Sequence, residues 1–185
     1  MRRVLLLGAV LVWAPAAHAA PPAVSAEASP AAGQAPLHVT LTAIADAESF
    51  VWSLGDGSQA EGRVVQHVYA TGRYTATVTA TKGGESAQAS VTVTAFTLAL
   101  TSPRSGTYGR PIRLSGRLTP ALPRARISLF AGEQAVATAS ASRTGRVRFR
   151  PRLRLAGTYQ LAFGDVRSNV AAPAVRPALD TALPR

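Results

Sequence analysis

The chain has 185 residues, a formal net charge of +11 at pH 7 and no cysteine; 47% of its residues are hydrophobic and 16% charged. It is too apolar to be disordered throughout, and its apolar runs are too short for a polytopic membrane protein. The absence of thiols excludes a disulfide scaffold, a thiolate zinc site, a cysteine nucleophile and the lipid anchor of a bacterial lipoprotein.

The first element is an address. Met1-Arg2-Arg3 is cationic, Val4 to Trp13 is apolar, and Ala17 and Ala19 set small residues at −3 and −1 of a cleavage site. This is the layout of a secretory signal peptide, 1–19. The apolar run is shorter than the roughly 20 residues that span a bilayer. The expectation is a secreted protein, extracellular or periplasmic, associated with the cell envelope and without a transmembrane span once the leader is cut.

Charge divides the remainder of the chain. Residues 20–95 hold Arg63, Arg73 and Lys82 against Glu27, Asp46, Glu48, Asp56, Glu61 and Glu85; residues 96–185 hold fifteen arginines against Glu133, Asp165 and Asp180. So sharp a break points to two domains meeting near Ala95–Phe96. In the first, Leu37 to Ala43 alternates apolar and polar residues as a half-buried strand does. Phe50 to Leu54 reads as a second strand, and Gly55-Asp56-Gly57 as a turn in which the Asp side chain bonds local amides. Arg73 to Thr81 alternates with Tyr74, Ala76, Val78 and Ala80 on one face, and Ser90 to Thr94 follows the Gly83-Gly84 turn. Short strands, threonine-rich outer faces and no helical period predict an antiparallel sandwich with Trp52 as its buried anchor.

The run Trp52-Ser53-Leu54-Gly55-Asp56-Gly57-Ser58, then His67-Val68-Tyr69, then Gly72-Arg73-Tyr74-Thr75, resembles the PKD domain, and Ala35 to Val39 matches that family's second strand. The resemblance covers about 24–95. Ser53 and Leu54 stand where the family usually has Asp and Phe. The resemblance implies an extracellular immunoglobulin-like sandwich serving as a spacer or as a module that contacts protein or carbohydrate, and it implies no catalysis. Trp52, Gly55, Asp56, Gly57, His67, Tyr69, Gly72 and Tyr74 take structural roles in it. Trp52 fills the core, Gly55 and Gly57 permit the turn, and Tyr69 acts as a corner tyrosine. Some members bind calcium, for which Asp56 is the obvious candidate; calcium takes about six to eight oxygens and one carboxylate is not a site, so no metal site is assigned.

In the second half Phe96 to Leu100 reads as a strand, Ser102 to Gly109 as a loop, and Ile112 to Leu118, Ala125 to Phe130, Gln134 to Ser142 and Tyr159 to Phe163 as further strands, with Asn169 to Val175 finishing the sheet. Tyr108-Gly109, Ile112 to Leu118, Gly145 to Arg150 and Gly157 to Leu161 are similar to bacterial Ig-like surface domains over about 96–173. Residues 174–185 read as a Pro/Ala-rich tail or the start of a further module, since Leu179, Pro184 and Arg185 echo Leu98, Pro103 and Arg104. The fold class is therefore all-β: two tandem immunoglobulin-like antiparallel β-sandwiches after a signal peptide, at 20–95 and 96–173.

One stretch stands out. In Arg146-Val147-Arg148-Phe149-Arg150-Pro151-Arg152-Leu153-Arg154-Leu155 every alternate residue is arginine. In a strand, Arg146, Arg148, Arg150, Arg152 and Arg154 share one face at about 6.5–7 Å spacing. Pro151 cannot donate to a ladder, so the segment is an edge strand or is broken there. Arginine forks suit phosphate and carboxylate, so the stripe is the candidate polyanion-binding site. Arg113, Arg117, Arg124 and Arg126 could extend it, though the sequence does not say on which face they lie. The plain alternative is a solvated edge in an arginine-biased chain.

No metalloprotease helix, hydrolase elbow or phosphate loop is present. Only His38 and His67 follow the leader, and no nucleophile–base pair is visible. The expectation is a non-enzymatic, cofactor-free binding or adhesion module, monomeric. Its partner would be a cell-envelope polyanion or polysaccharide, or another protein domain; no physiological nucleic acid is expected. The competing reading is a structural spacer or accessory region of a larger cell-wall-associated enzyme or adhesin.

Overall fold

Alternation of apolar and polar residues builds every element, and among the described residues all regular structure is strand. The computed structural model describes residues 22–153 and 157–178. The leader, Arg154 and the last seven residues of the tail lie outside them. The first half contributes β1 (Val24–Ser29), β2 (Ala32–Gln34), β3 (Leu37–Ala45), β4 (Ser49–Ser53), β5 (Gln59–Glu61), β6 (Val64–Tyr69), β7 (Gly72–Lys82) and β8 (Glu85–Thr101). The second contributes β9 (Ser105–Thr107), β10 (Leu114–Thr119), β11 (Arg126–Ala131), β12 (Gln134–Ser140), β13 (Arg146–Phe149), β14 (Tyr159–Phe163), β15 (Val166–Arg167) and β16 (Ala174–Arg176).

In the first half the antiparallel sheet β1-β3-β6 faces the strands β5-β4-β7-β8. Between them lie Val39 and Leu41 from β3, Phe50 and Trp52 from β4, Tyr69 from β6, Ala76, Val78 and Ala80 from β7, and Val93 and Ala95 from β8. The inward alanines of β7 leave room for Trp52, which is wholly buried and donates its indole N–H to the Gly62 carbonyl at 3.1 Å. In the second half the sheet β12-β11-β14-β15 packs on β8-β10-β13. Phe96, Leu98, Leu100, Leu114, Leu118, Ile127, Leu129, Val147, Phe149 and Leu161 fill that core.

β8 belongs to both. The sequence reads as two strands, Ser90–Thr94 and Phe96–Leu100, but the ladder runs unbroken for 17 residues. Val93 and Ala95 enter the first core, whereas Phe96, Leu98 and Leu100 enter the second. Side chains alternate across a strand, so the two cores lie on opposite faces of one strand. The inward residues change from odd to even numbers along it. β2 pairs in parallel with Thr94–Phe96. Its Gln34 side-chain oxygen accepts from the Arg167 amide at 2.9 Å, and Phe96 meets Phe163 edge-on, bracing the junction.

Three further expectations are corrected. The Ser102–Gly109 segment is not all loop: β9 pairs in parallel with β16, so the stretch from residue 174 is not wholly a tail. Asn169–Val175 joins the four-stranded sheet only through one bridge, Ala171 with Tyr159 of β14, and not as a full strand. Asn169 spends its side-chain amide on Leu100, accepting from the amide N–H at 2.8 Å and donating to the carbonyl at 3.0 Å, which docks this segment on β8. The arginine run is a strand only over Arg146–Phe149, because Pro151 has no N–H to continue the ladder.

Candidate functional site

β13 is the edge strand of its sheet, and among the described residues it pairs only with β10. Within it Val147 and Phe149 point into the second core, while Arg146 and Arg148 are exposed. The antiparallel register sets Arg117 directly opposite Arg146 and Ser115 opposite Arg148; Leu114 pairs with Phe149, so Arg113 and Arg150 follow at the next step. On the other side of β10, Thr101 lies opposite Ser115 and Ala99 opposite Arg117. All of these side chains are exposed, and the alternate residues Leu98, Leu100, Leu114, Leu118, Val147 and Phe149 are buried behind them. The outcome is one basic face, with Arg113 and Arg117 in one row and Arg146, Arg148 and Arg150 in the next. A shallow depression of about 290 Å³ bordered by Ala99, Thr101, Ser115, Arg117, Arg146 and Arg148 forms its floor.

Gly116 explains how closely these rows pack. It faces the core, where an added Cβ would lie 2.3 Å from Leu161 Cδ1 and 2.8 Å from Val147 Cγ1. Only a glycine lets β10 press the β11–β14 layer at this point.

Arg152 continues the register one rung beyond Arg150: it forms an isolated bridge with Pro111, and its guanidinium donates to the Gly109 carbonyl at 3.3 Å. Arg154 is not described. Arg126 lies on β11 in the other sheet, and Arg124 occupies an exposed turn with φ of 65°.

Like charges placed directly across a ladder destabilise it by up to about 1 kcal/mol. Among the described residues the ion pairs are Lys82–Asp46 and His67–Asp56, both in the first half, so no carboxylate neutralises the basic face. What the face can do chemically is take anions: several guanidinium forks converge with two hydroxyls and no competing acid.

The motif residues of the first half form a second cluster. Tyr69 is fully buried, and its hydroxyl donates to the Leu54 carbonyl at 3.0 Å. That bond pins the turn, where Gly55 has φ of 83° and an added Cβ would sit 2.5 Å from the Thr75 carbonyl oxygen. Gly57 also adopts positive φ. Asp56 Oδ1 accepts from the Ser58 amide and hydroxyl, and His67 Nε2 lies 2.6 Å from Asp56 Oδ2. The Ser58 bond, helped by His67, holds the Asp56 carboxyl down to about 2. Burial pushes the Tyr69 phenol up to about 12. Tyr74 stacks on Tyr69 at 4.8 Å between centroids, over Gly72.

Both Asp56 oxygens are therefore occupied within the turn, and among the described residues no group of three or more His, Cys, Asp or Glu could hold a metal. Ser58 bonds to the aspartate rather than to the histidine. The ring that would have to act as a base thus does not touch the hydroxyl. The arrangement is that of a braced turn.

Sequence reasoning located Arg146, Arg148 and Arg150 but could not place Arg113 and Arg117 beside them, and it missed Ser115 and Thr101. Their only signal is the alternation of Ile112 to Leu118, which gives Arg113, Ser115 and Arg117 a common face without saying which strand lies next to it.

Comparison with curated proteins gives no match. Among solved structures, the fibronectin(III)-like modules of Clostridium thermocellum CbhA share 13% identity over 83% of this chain and 95% of theirs, with a TM-score of 0.35. A 1.5-MDa bacterial ice-binding adhesin shares 13% identity over 87% of this chain and 67% of that one, at a TM-score of 0.34. A tetra-tandem repeat from the extending region of a large adhesion protein shares 11% over 82% and 49%, at 0.37. The family comparison is the specific one: residues 14–96, which include the Trp52–Ser58 turn, the His67–Tyr69 strand end and the buried Tyr69 hydroxyl, match the family model of the PKD domain.

Proposed function

We propose that the chain is exported by its first 19 residues and acts outside the cytoplasm as a non-catalytic binding module of two tandem immunoglobulin-like sandwiches, 20–95 and 96–173. The second grips an anionic polymer of the cell envelope. The observation that carries this reading is the face formed by Arg113, Arg117, Arg146, Arg148 and Arg150, which has no acidic partner among the described residues. Such a face binds by releasing counterions, so affinity falls steeply with salt. The first sandwich supplies a rigid, extracellular-type scaffold, as its match to the PKD family supports.

A spacer role is favoured by a different observation, the unbroken 17-residue β8 that joins both cores. Co-sedimentation with isolated cell envelopes across a salt series separates the two readings. A binding module sediments at low salt and is released as salt rises, and changing its five face arginines to Gln abolishes sedimentation. A pure spacer stays in solution at every salt concentration.

A further inference from the structure

The basic face is more regular than a charged patch needs to be. Its rungs follow the antiparallel register: Arg117 with Arg146, Ser115 with Arg148, and Arg113 with Arg150. Successive rungs are two residues apart along each strand, or about 6.5–7 Å. Each rung offers donors from both strands. The floor is made of small residues: Ala99 and Thr101 of β8, and Ser115 and the Gly116 backbone of β10. Phe96, Leu98 and Leu100 turn away into the core, so residues 97, 99 and 101 lie on the side of β8 that faces the first core. Thr97 reaches Thr71 of the β6–β7 turn, and the first sandwich thus walls one end of the face.

On the reading that this face binds a polyanion, we infer that its ligand is a linear phosphodiester polymer with a short polyol spacer, lying along the groove between β10 and β13 with successive phosphates on successive rungs. A phosphodiester has two unesterified oxygens. A rung with one donor on each side serves both, one from each strand, and arginine forks give paired hydrogen bonds to phosphate. A three-carbon spacer in its extended form brings consecutive phosphates to about the rung period. A uronate chain holds planar carboxylates on rigid sugar rings, so its charges cannot adjust to the rung spacing as those of a flexible chain can. A nucleic acid has phosphates at a comparable spacing, but the face offers no aromatic ring on which bases stack.

The test titrates the purified chain, at low and moderate salt, with three probes of equal charge number: an oligo(glycerol phosphate), an oligogalacturonate and an oligodeoxythymidylate. Two double variants lose the same charge, R117Q/R146Q in one rung and R124Q/R126Q away from the face. Far-UV circular dichroism and thermal unfolding check that each remains folded. The expected result is tightest binding of oligo(glycerol phosphate). The rung variant loses tenfold or more and lowers the salt slope by about 0.7 per phosphate contact removed; R124Q/R126Q changes affinity less than twofold. Equal binding of oligogalacturonate, or equal losses in both variants, overturns the inference and leaves the polyanion reading intact. Tighter binding of oligodeoxythymidylate overturns the polyol spacer. No binding of any probe at low salt overturns both the inference and the proposed function.

Discussion

Replacing Tyr69 by Phe removes one oxygen from the middle of the first core, and its consequences are readable at two pH values. Tyr69 is 0% exposed and donates to the Leu54 carbonyl at 3.0 Å. The lost bond has a net value of about 0.5–1.5 kcal/mol, and the deprived acceptor adds about 1–3 kcal/mol where water cannot reach it; about 2 kcal/mol is expected at pH 7. The same side chain controls the alkaline limb. Its pKa rises from 10 to about 12, chiefly through burial, with the charge of Asp56 and the neighbouring Tyr74 adding to the effect. Because the folded value lies above the unfolded one, this contribution is complete below pH 10 and is lost as pH rises to about 12, where only the unfolded chain gives up the proton. That separation corresponds to about 3 kcal/mol. Phenylalanine has no proton to lose, so the stability curves of parent and Y69F converge and cross near pH 12. Tyr159, also raised by burial, is present in both chains and cancels in the comparison. The assay is urea unfolding from pH 7 to 12, followed by the emission of wholly buried Trp52 in the chain without its leader. A loss below about 0.5 kcal/mol at pH 7, or an alkaline limb in Y69F as steep as the parent's, would rule out this role for the Tyr69 hydroxyl.

Three further changes probe other parts of the molecule. Gly116→Ala puts a methyl group against Leu161 and Val147 and is expected to destabilise the second core by about 1–3 kcal/mol in thermal unfolding, without touching Trp52's surroundings. Asp56→Asn removes a carboxylate held at about 2, below its ordinary 3.8. Since that stability is present above pH 3.8 and lost as pH falls towards 2, the variant flattens the acid limb, by about 1 kcal/mol at most because the side chain is partly solvated. Arg117→Gln relieves the repulsion with Arg146 and raises stability by up to about 1 kcal/mol at low salt, an advantage that disappears in concentrated salt, while polyanion binding weakens.

Local alternation made most strands legible, and the W-x-x-G-D-G turn with its tyrosine made the first sandwich specific. What stayed hidden was non-local. β8 looked like two strands because Val93 to Phe96 are buried in succession, a break in alternation that marks one strand passing between two cores. β1 and β2 are rich in Ala, Ser and Gly and carry little hydrophobic signal. The arginine run looked like one continuous strand, but Pro151 lacks an N–H, and beyond it only an isolated bridge, Arg152 with Pro111, carries the pairing on. The second row of the basic face depends on pairing between β10 and β13, which no local pattern encodes. Asn169 was unreadable for a related reason: a side chain replacing a backbone partner leaves no period.

The binding face is tested most sharply by comparing two variants with equal net charge. One carries Gln at Arg113, Arg117, Arg146, Arg148 and Arg150; the other carries Gln at the exposed Arg104, Arg124, Arg126, Arg143 and Arg176. Each is sedimented with isolated cell envelopes at low salt beside the parent chain. The parent and the second variant are expected to pellet and to be released by salt, while the first stays in the supernatant. Equal pelleting of the two variants would show the opposite, that net charge rather than the β10–β13 face governs binding.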